Sequence, residues 1–251
     1  MKKHQFLFEE LVKRDFKEKY KRTVLGMGWS ILSPILQLLV MRLVFTYIFA
    51  KNKAFYTTYL FSGVIVFQFF KDATTHGMTA LIGNASIISK INVPKYLLLL
   101  SKNVSTVINF LLTLVVFFIF AAFDGVTFTW QYFLLLYPIM CLVVINLGVG
   151  LILSACYVFF RDMKYLYEIF TMLLRYLTAI FYYVETYPPE TQKLFLLNPI
   201  YCIIKYFRSI VIDNTVPSLG FHALIAGYTI VLFLIGARMY KRKNQKFVYY
   251  I

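Results

Sequence analysis

The sequence predicts an all-α integral membrane protein with six transmembrane helices, an N-terminal amphipathic interfacial helix and an outer hairpin that enters the membrane without crossing it. Three observations predict this. Of 251 residues, 60% are hydrophobic and 15% are charged, against a usual charged share of ~25%, and the mean hydropathy is +0.70. Apolar runs of about 20 residues, enough to cross a ~30 Å hydrocarbon layer, recur along the chain. Basic residues gather beside those runs, mostly on one side. A water-soluble fold of this size cannot hide so much apolar surface. A soluble enzyme, a disordered chain and a free nucleic-acid binder are therefore excluded, despite a net charge of +15.

The first 22 residues are polar and strongly charged, so we expect no cleavable signal peptide and insertion from an internal span. Within them Phe8, Leu11, Val12, Phe16 and Tyr20 recur at helical spacing. That is the pattern of an amphipathic helix on the inner membrane surface; a solvated basic tail is the other reading of the same residues. The spans are predicted at 28–50, interrupted by Arg42; at 55–70, running on through Lys71 and Asp72 toward Gly77; at 96–123; at 130–160; at 166–184, interrupted by Arg175; and at 219–240. The stretch 194–204 is apolar but too short to span, and Asn198-Pro199 discourages a continuous helix. It reads as a re-entrant or interfacial hairpin between the fifth and sixth spans. Between the second and third spans, a short helix is expected to start near Asn84 or Ser86 and to stop before Pro94. Ile87, Ile88 and Ile91 would share its apolar face, which the bilayer or a partner must cover. The chain is read as a single domain over 1–251, with a surface segment at 1–27, the six-helix membrane part at 28–240 and a tail at 241–251.

An even number of spans puts both termini on one side. Nineteen of the 26 basic residues fall on that side, five on the other (Lys51, Lys53, Lys193, Lys205 and Arg208), and Arg42 and Arg175 lie within spans. The positive-inside bias makes both termini cytoplasmic.

Chemistry-bearing motifs are absent. There is no G-x-x-x-x-G-K-[ST] loop, no H-E-x-x-H and no G-x-S-x-G. Cys141, Cys156 and Cys202 are far apart in apolar surroundings, and His4, His76 and His222 are isolated, so neither a disulfide framework nor a metal site is indicated. The eleven acids sit mostly at span ends, without a carboxylate relay through the membrane. Two features remain. Arg42 and Arg175 are placed about 14 Å inside the outer ends of their spans, where arginine is costly and usually faces the bundle interior. They suit an anionic substrate such as a lipid pyrophosphate, through the planar fork of donors; pairing with backbone carbonyls, lipid phosphate or a polar neighbour is the alternative. Aromatic residues make up 19% of the chain. Tyr47 and its neighbours gather around the first outer loop, and Phe181, Tyr182, Tyr183 and Tyr187 at the outer end of the fifth span. They read either as an interfacial belt or as aromatic faces along which sugar rings slide.

Residues 14–34, RDFKEKYKRTVLGMGWSILSP, resemble the opening segment of polysaccharide-export ABC permeases, the type 2 exporter subunits of the Wzm and TagG kind. Three further segments agree in order: 84–94, the run Phe159-Phe160-Arg161-Asp162-Met163-Lys164-Tyr165, and Leu197-Asn198-Pro199 followed by Phe207-Arg208. Glu185-Thr186-Tyr187 departs from the family, where many members have proline soon after a Phe-Tyr pair. The resemblance implies a bacterial cytoplasmic-membrane permease, not an enzyme, that moves a lipid-linked O-antigen, capsule or teichoic acid. It implies a homodimer with two separate ATPase subunits, membrane lipids around it, no nucleic acid, and no cofactor on this chain, ATP and Mg being held by the ATPase. It makes 84–93 the coupling helix, with Asn84, Ser86, Ile87, Ile88, Lys90 and Ile91 facing the ATPase. A cytoplasmic gate region would surround Trp29, Arg161, Asp162 and Lys164, and a channel between protomers would be lined by Arg42, Tyr47, Arg175, Phe181, Tyr182 and Tyr183. A type 2 permease for drugs or lipids is the alternative within the class, and a polytopic glycan-modifying enzyme the alternative outside it.

Overall fold

The structure is a computed structural model and describes residues 2–18, 23–44, 55–90 and 93–250. Tyr20, Tyr47 and Ile91 lie outside the described residues. Regular structure among the described residues is helical: α1 (Lys2–Glu18), α2 (Trp29–Leu43), α3 (Tyr56–Gly83), α4 (Ala85–Lys90), α5 (Tyr96–Phe123), α6 (Leu136–Phe159), α7 (Met163–Leu177), α8 (Pro189–Phe195), α9 (Pro199–Val211), α10 (Leu219–Lys243) and α11 (Phe247–Tyr250). Among the described residues, three helices are long and apolar enough to cross a membrane: Tyr96–Phe123, Trp130–Phe159 with its leading 3-10 turn, and Leu219–Lys243. They coincide with the third, fourth and sixth predicted spans.

α3 is the hub. It packs against α5, α6 and α9, and buries residues on almost every face, from Tyr56 to Leu81. In lipid, apolar side chains gain little by leaving the acyl chains for one another, so helices associate where small residues let backbones approach. α6 uses this twice. A Cβ on Gly77 of α3 would lie 3.1 Å from the Cα of Gly150 on α6. On the other side, a Cβ on Gly148 would lie 2.7 Å from the Leu232 carbonyl of α10, and one on Gly236 would collide with the Gly148 carbonyl.

The fifth predicted span is shorter than expected. α7 ends at Leu177, not near Val184, and Ala179 turns into the left-handed region at φ 50°. The cause lies in other elements. Carbonyls that a continuing helix would have used internally accept instead from Arg208 of α9 and Tyr59 of α3. Arg175 accordingly sits in the last turn of α7, not near the middle of a long span, where its charge complements the negative end of the helix dipole. The Asn198-Pro199 break is present. α8 and α9 meet at 108°, Pro199 occupies the first turn of α9, and Asn198 caps it by accepting from the amides of Ile200 and Tyr201.

α1 docks on α5, one face inward. Leu11 is buried, and Leu7 packs on the same small core as Ala80, Leu81, Leu98, Leu99, Ala155, Val158, Tyr240 and Phe247. Ile87 and Ile88 of α4 pack against this core too. The chain itself therefore covers part of the apolar face that was expected to await a bilayer or a partner.

Candidate functional site

Two ends of the bundle carry organised polar chemistry. At the end that holds α1, Asp15 is the organising group. Leu11 and Asp15 are four residues apart on a helix, so the carboxylate is carried into the buried stripe, where its side chain is 1% exposed. It accepts from Lys102 Nζ at 2.9 Å, from Ser101 Oγ at 2.9 Å and from Arg14 Nη2 at 2.7 Å. Arg14 Nη2 also donates to Asn84 Oδ1 at 2.7 Å, and Asn84 Nδ2 returns to the Ala80 carbonyl at 2.8 Å. One network thus joins α1, the start of α5 and the junction of α3 with α4. A buried carboxylate needs such partners, since removing a charge from water costs several kcal/mol unless it is paired and hydrogen-bonded. Nearby, Lys95 Nζ donates to the Asn244 carbonyl at 3.0 Å, tying the start of α5 to the end of α10. Burial pulls its ammonium below the ordinary lysine value.

The predicted coupling residues divide here. Asn84 is buried and holds α1, so it can position α4 without touching a partner. Its carbonyl receives the Ile87 and Ile88 amides that start α4, while its side chain does not cap the helix. Ile87 and Ile88 face inward, whereas Ser86, Ser89 and Lys90 are exposed. The outward surface of α4 is thus polar. Arg161 Nη2 donates to the Tyr250 carbonyl at 3.2 Å, linking the α6–α7 turn to α11. Asp162 and Lys164 are exposed beside it, and Asp162 precedes α7 without a side-chain cap.

Trp29 opens α2 and lines a cavity of about 460 Å³ between α2, α3 and α5. Its walls are unusually polar for an apolar bundle: Ser30, Ser33 and Gln37 from α2, and Gln68 and Asp72 from α3, the last two hydrogen-bonded at 2.8 Å.

At the opposite end, the hairpin is built on Arg208. The residue is buried, and its guanidinium donates to the carbonyls of Ala179 (3.0 Å), Ile180 (3.2 Å) and Tyr59 (3.2 Å). Its Cζ also lies over the Tyr59 ring, 3.4 Å from the centroid. A planar, permanently charged group with five donors suits a site that offers several carbonyls and one aromatic face. The Tyr59 ring also stacks on Tyr183, with centroids 4.3 Å apart. Tyr182 donates to the Tyr176 carbonyl and meets Tyr187 and Phe195 edge-on. Phe181 lies under the Arg175 guanidinium at 5.5 Å. The predicted aromatic trio is therefore half-buried, part of the packing that holds the hairpin.

The predicted arginines lie on different helices. α2 packs on α3 and α5, α7 on α3 and α6, and Arg42 and Arg175 are both exposed. Sequence reasoning missed Arg208, which it counted as an outer-loop charge, and Asp15. A signal existed for each: an acid in register with Leu11, and an arginine inside an apolar stretch of α9.

Residues 7–212 match the family profile described as ABC-2 type transporter. Over 249 residues the chain is 27% identical to an O-antigen export system permease protein RfbA of Klebsiella pneumoniae, covering 96% of this chain and 95% of that one. It is 24% identical to the RfbA of Myxococcus xanthus over 96% of this chain and 94% of the relative. It is 22% identical to the polysialic acid transport protein KpsM of Escherichia coli over 94% and 93%.

Proposed function

We infer function from one premise, that this chain belongs to the ABC-2 type transporter membrane family. It is the permease subunit of a polysaccharide exporter, embedded in the cell membrane and driven by an ATPase on a separate chain. One observation carries this: the end-to-end likeness to permeases named for O-antigen and polysialic acid, which leaves almost no part of either chain unmatched.

We further propose six spans within one domain over 1–251, both termini cytoplasmic, so that α1 and α4 lie at the inner surface and the hairpin at the outer one. The charge bias supports that direction. Two copies would associate through α2 and α7, whose exposed faces are apolar: Leu36, Leu39 and Leu43 on one, Ile169, Leu173 and Tyr176 on the other. A lipid-linked glycan would pass between them, past Arg42 and Arg175, and through the gate region of Trp29, Arg161, Asp162 and Lys164. ATP and Mg act on the ATPase. Closure of the ATPase dimer would press on Ser86, Ser89 and Lys90. The Arg14–Asn84 and Asp15–Lys102 contacts would spread that push from α4 to α1, α3 and α5 as one body.

Deleting the gene in its own cell tests the reading. Surface polysaccharide is expected to vanish while its lipid-linked form accumulates inside, and an intact copy is expected to restore it. A mutant that keeps its surface glycan while losing efflux of a drug or lipid would overturn it.

A further inference from the structure

A pocket of about 410 Å³ lies at the hairpin end, between the start of α3, the turn 183–186 and α9. That size falls within the ~300–1,000 Å³ of small-ligand sites. Its walls are of two kinds. Phe55 and Tyr183 supply half-buried aromatic surface, backed by the buried rings of Tyr59 and Tyr201, and Glu185, Lys205 and Asp213 supply charge. Ion pairs among the described residues all belong to α1 and its contacts, so these three charges border one cavity without pairing. The frame is rigid, because Arg208 is consumed by the backbone of both walls: the Tyr59 carbonyl on α3, and Ala179 and Ile180 on the turn.

The chemistry selects the ligand. A polyanion meets Glu185 and Asp213; a cation meets Lys205 and the field of Arg208; a purely apolar group leaves all of them desolvated. A polyhydroxylated ring fits both kinds of wall. Its hydroxyls donate to carboxylates and accept from an ammonium, and its C–H face lies on aromatic rings.

We infer that this pocket is a saccharide-binding subsite within each protomer, taking a mono- or disaccharide unit of the exported glycan. It rests on the polysaccharide reading above and goes beyond it by placing sugar recognition inside one protomer, apart from any channel between two. The subsite holds the glycan at the outer face as it emerges, so that each advance resists backsliding.

The test uses the permease–ATPase complex in lipid nanodiscs. The probe is oligosaccharide cut from the cell's own surface polysaccharide, which contains the sugar without its lipid. Saturation-transfer NMR is expected to mark the ring C–H protons of the probe. The double variant Glu185→Gln/Asp213→Asn is expected to weaken binding by about tenfold or more, since hydrogen bonds to charged acceptors are the stronger ones. Lys205→Met, which removes the ammonium and keeps the stem, serves as a second variant, and thermal unfolding checks that each remains folded. No transfer to wild-type protein, or unchanged transfer in both folded variants, overturns the subsite. Such a result leaves the exporter reading standing if the deletion mutant still loses its surface glycan. A mutant that keeps its glycan removes the exporter reading itself.

Discussion

Arg14 Nη2 donates to Asn84 Oδ1 at 2.7 Å, joining residues 70 positions apart. The same guanidinium holds Asp15, which in turn holds Lys102 and Ser101. α1 is thereby attached to the junction before α4 by directional bonds as well as by packing. In a double-mutant cycle of Arg14→Ala and Asn84→Ala, we expect a coupling energy of about 1 kcal/mol, kept small because Arg14 is partly solvated. Both variants should retain ATP hydrolysis by the complex while export falls. Additive effects on unfolding, with normal export, would remove the linkage.

Asp15→Asn should be more damaging than either. The buried carboxylate serves three donors, and the amide would turn its NH₂ toward some of them. A loss of about 2–3 kcal/mol is expected, read as a lowered unfolding temperature and faster proteolysis near α1.

Arg208→Lys should fail to support the hairpin, and Arg208→Met should fail at least as badly. A lysine offers one point of charge where the structure uses a flat fork on several carbonyls and a ring. Each carbonyl left buried without a donor costs about 1–3 kcal/mol. Folded protein recovered by size-exclusion chromatography should fall sharply; full recovery of the lysine variant would show that charge alone suffices.

Gly236→Ala should destabilise the α6–α10 contact by about 1–3 kcal/mol, because its methyl meets backbone, which cannot rotate away. Gly227→Ala, on the same helix with open space around it, should be neutral or slightly stabilising. Thermal unfolding of the pair checks this internally.

On α4, Lys90→Glu and Ser86→Arg should reduce co-purification of the ATPase while the chain stays folded, because both side chains face outward. Ile87→Ala should act through stability instead, since Ile87 packs inward.

Arg42→Gln and Arg175→Gln should lower export with the fold intact. Arg175 contributes only about 0.3–1 kcal/mol at the end of α7, so a stability effect can be told from a transport effect. Normal export in both variants would remove the pathway role of these residues.

The sequence by itself determined the class, the helical architecture, the bounds of α5 and the positions of α6 and α10, together with the break at Asn198-Pro199. These are local properties: twenty consecutive apolar residues partition into lipid whatever surrounds them, and proline after asparagine interrupts a helix wherever it occurs. The tertiary structure decided where α7 stops, which face of α4 is free, and what Asp15 and Arg208 do. Each depends on a partner distant in the chain. The carbonyls of Ala179 and Ile180 leave the helical pattern only because α9 brings a guanidinium to them, and Asp15 is buried charged only because Lys102 and Ser101 arrive from α5. Hydropathy reports the solvent that a segment prefers; it carries no record of which neighbour will satisfy a polar group once water is gone.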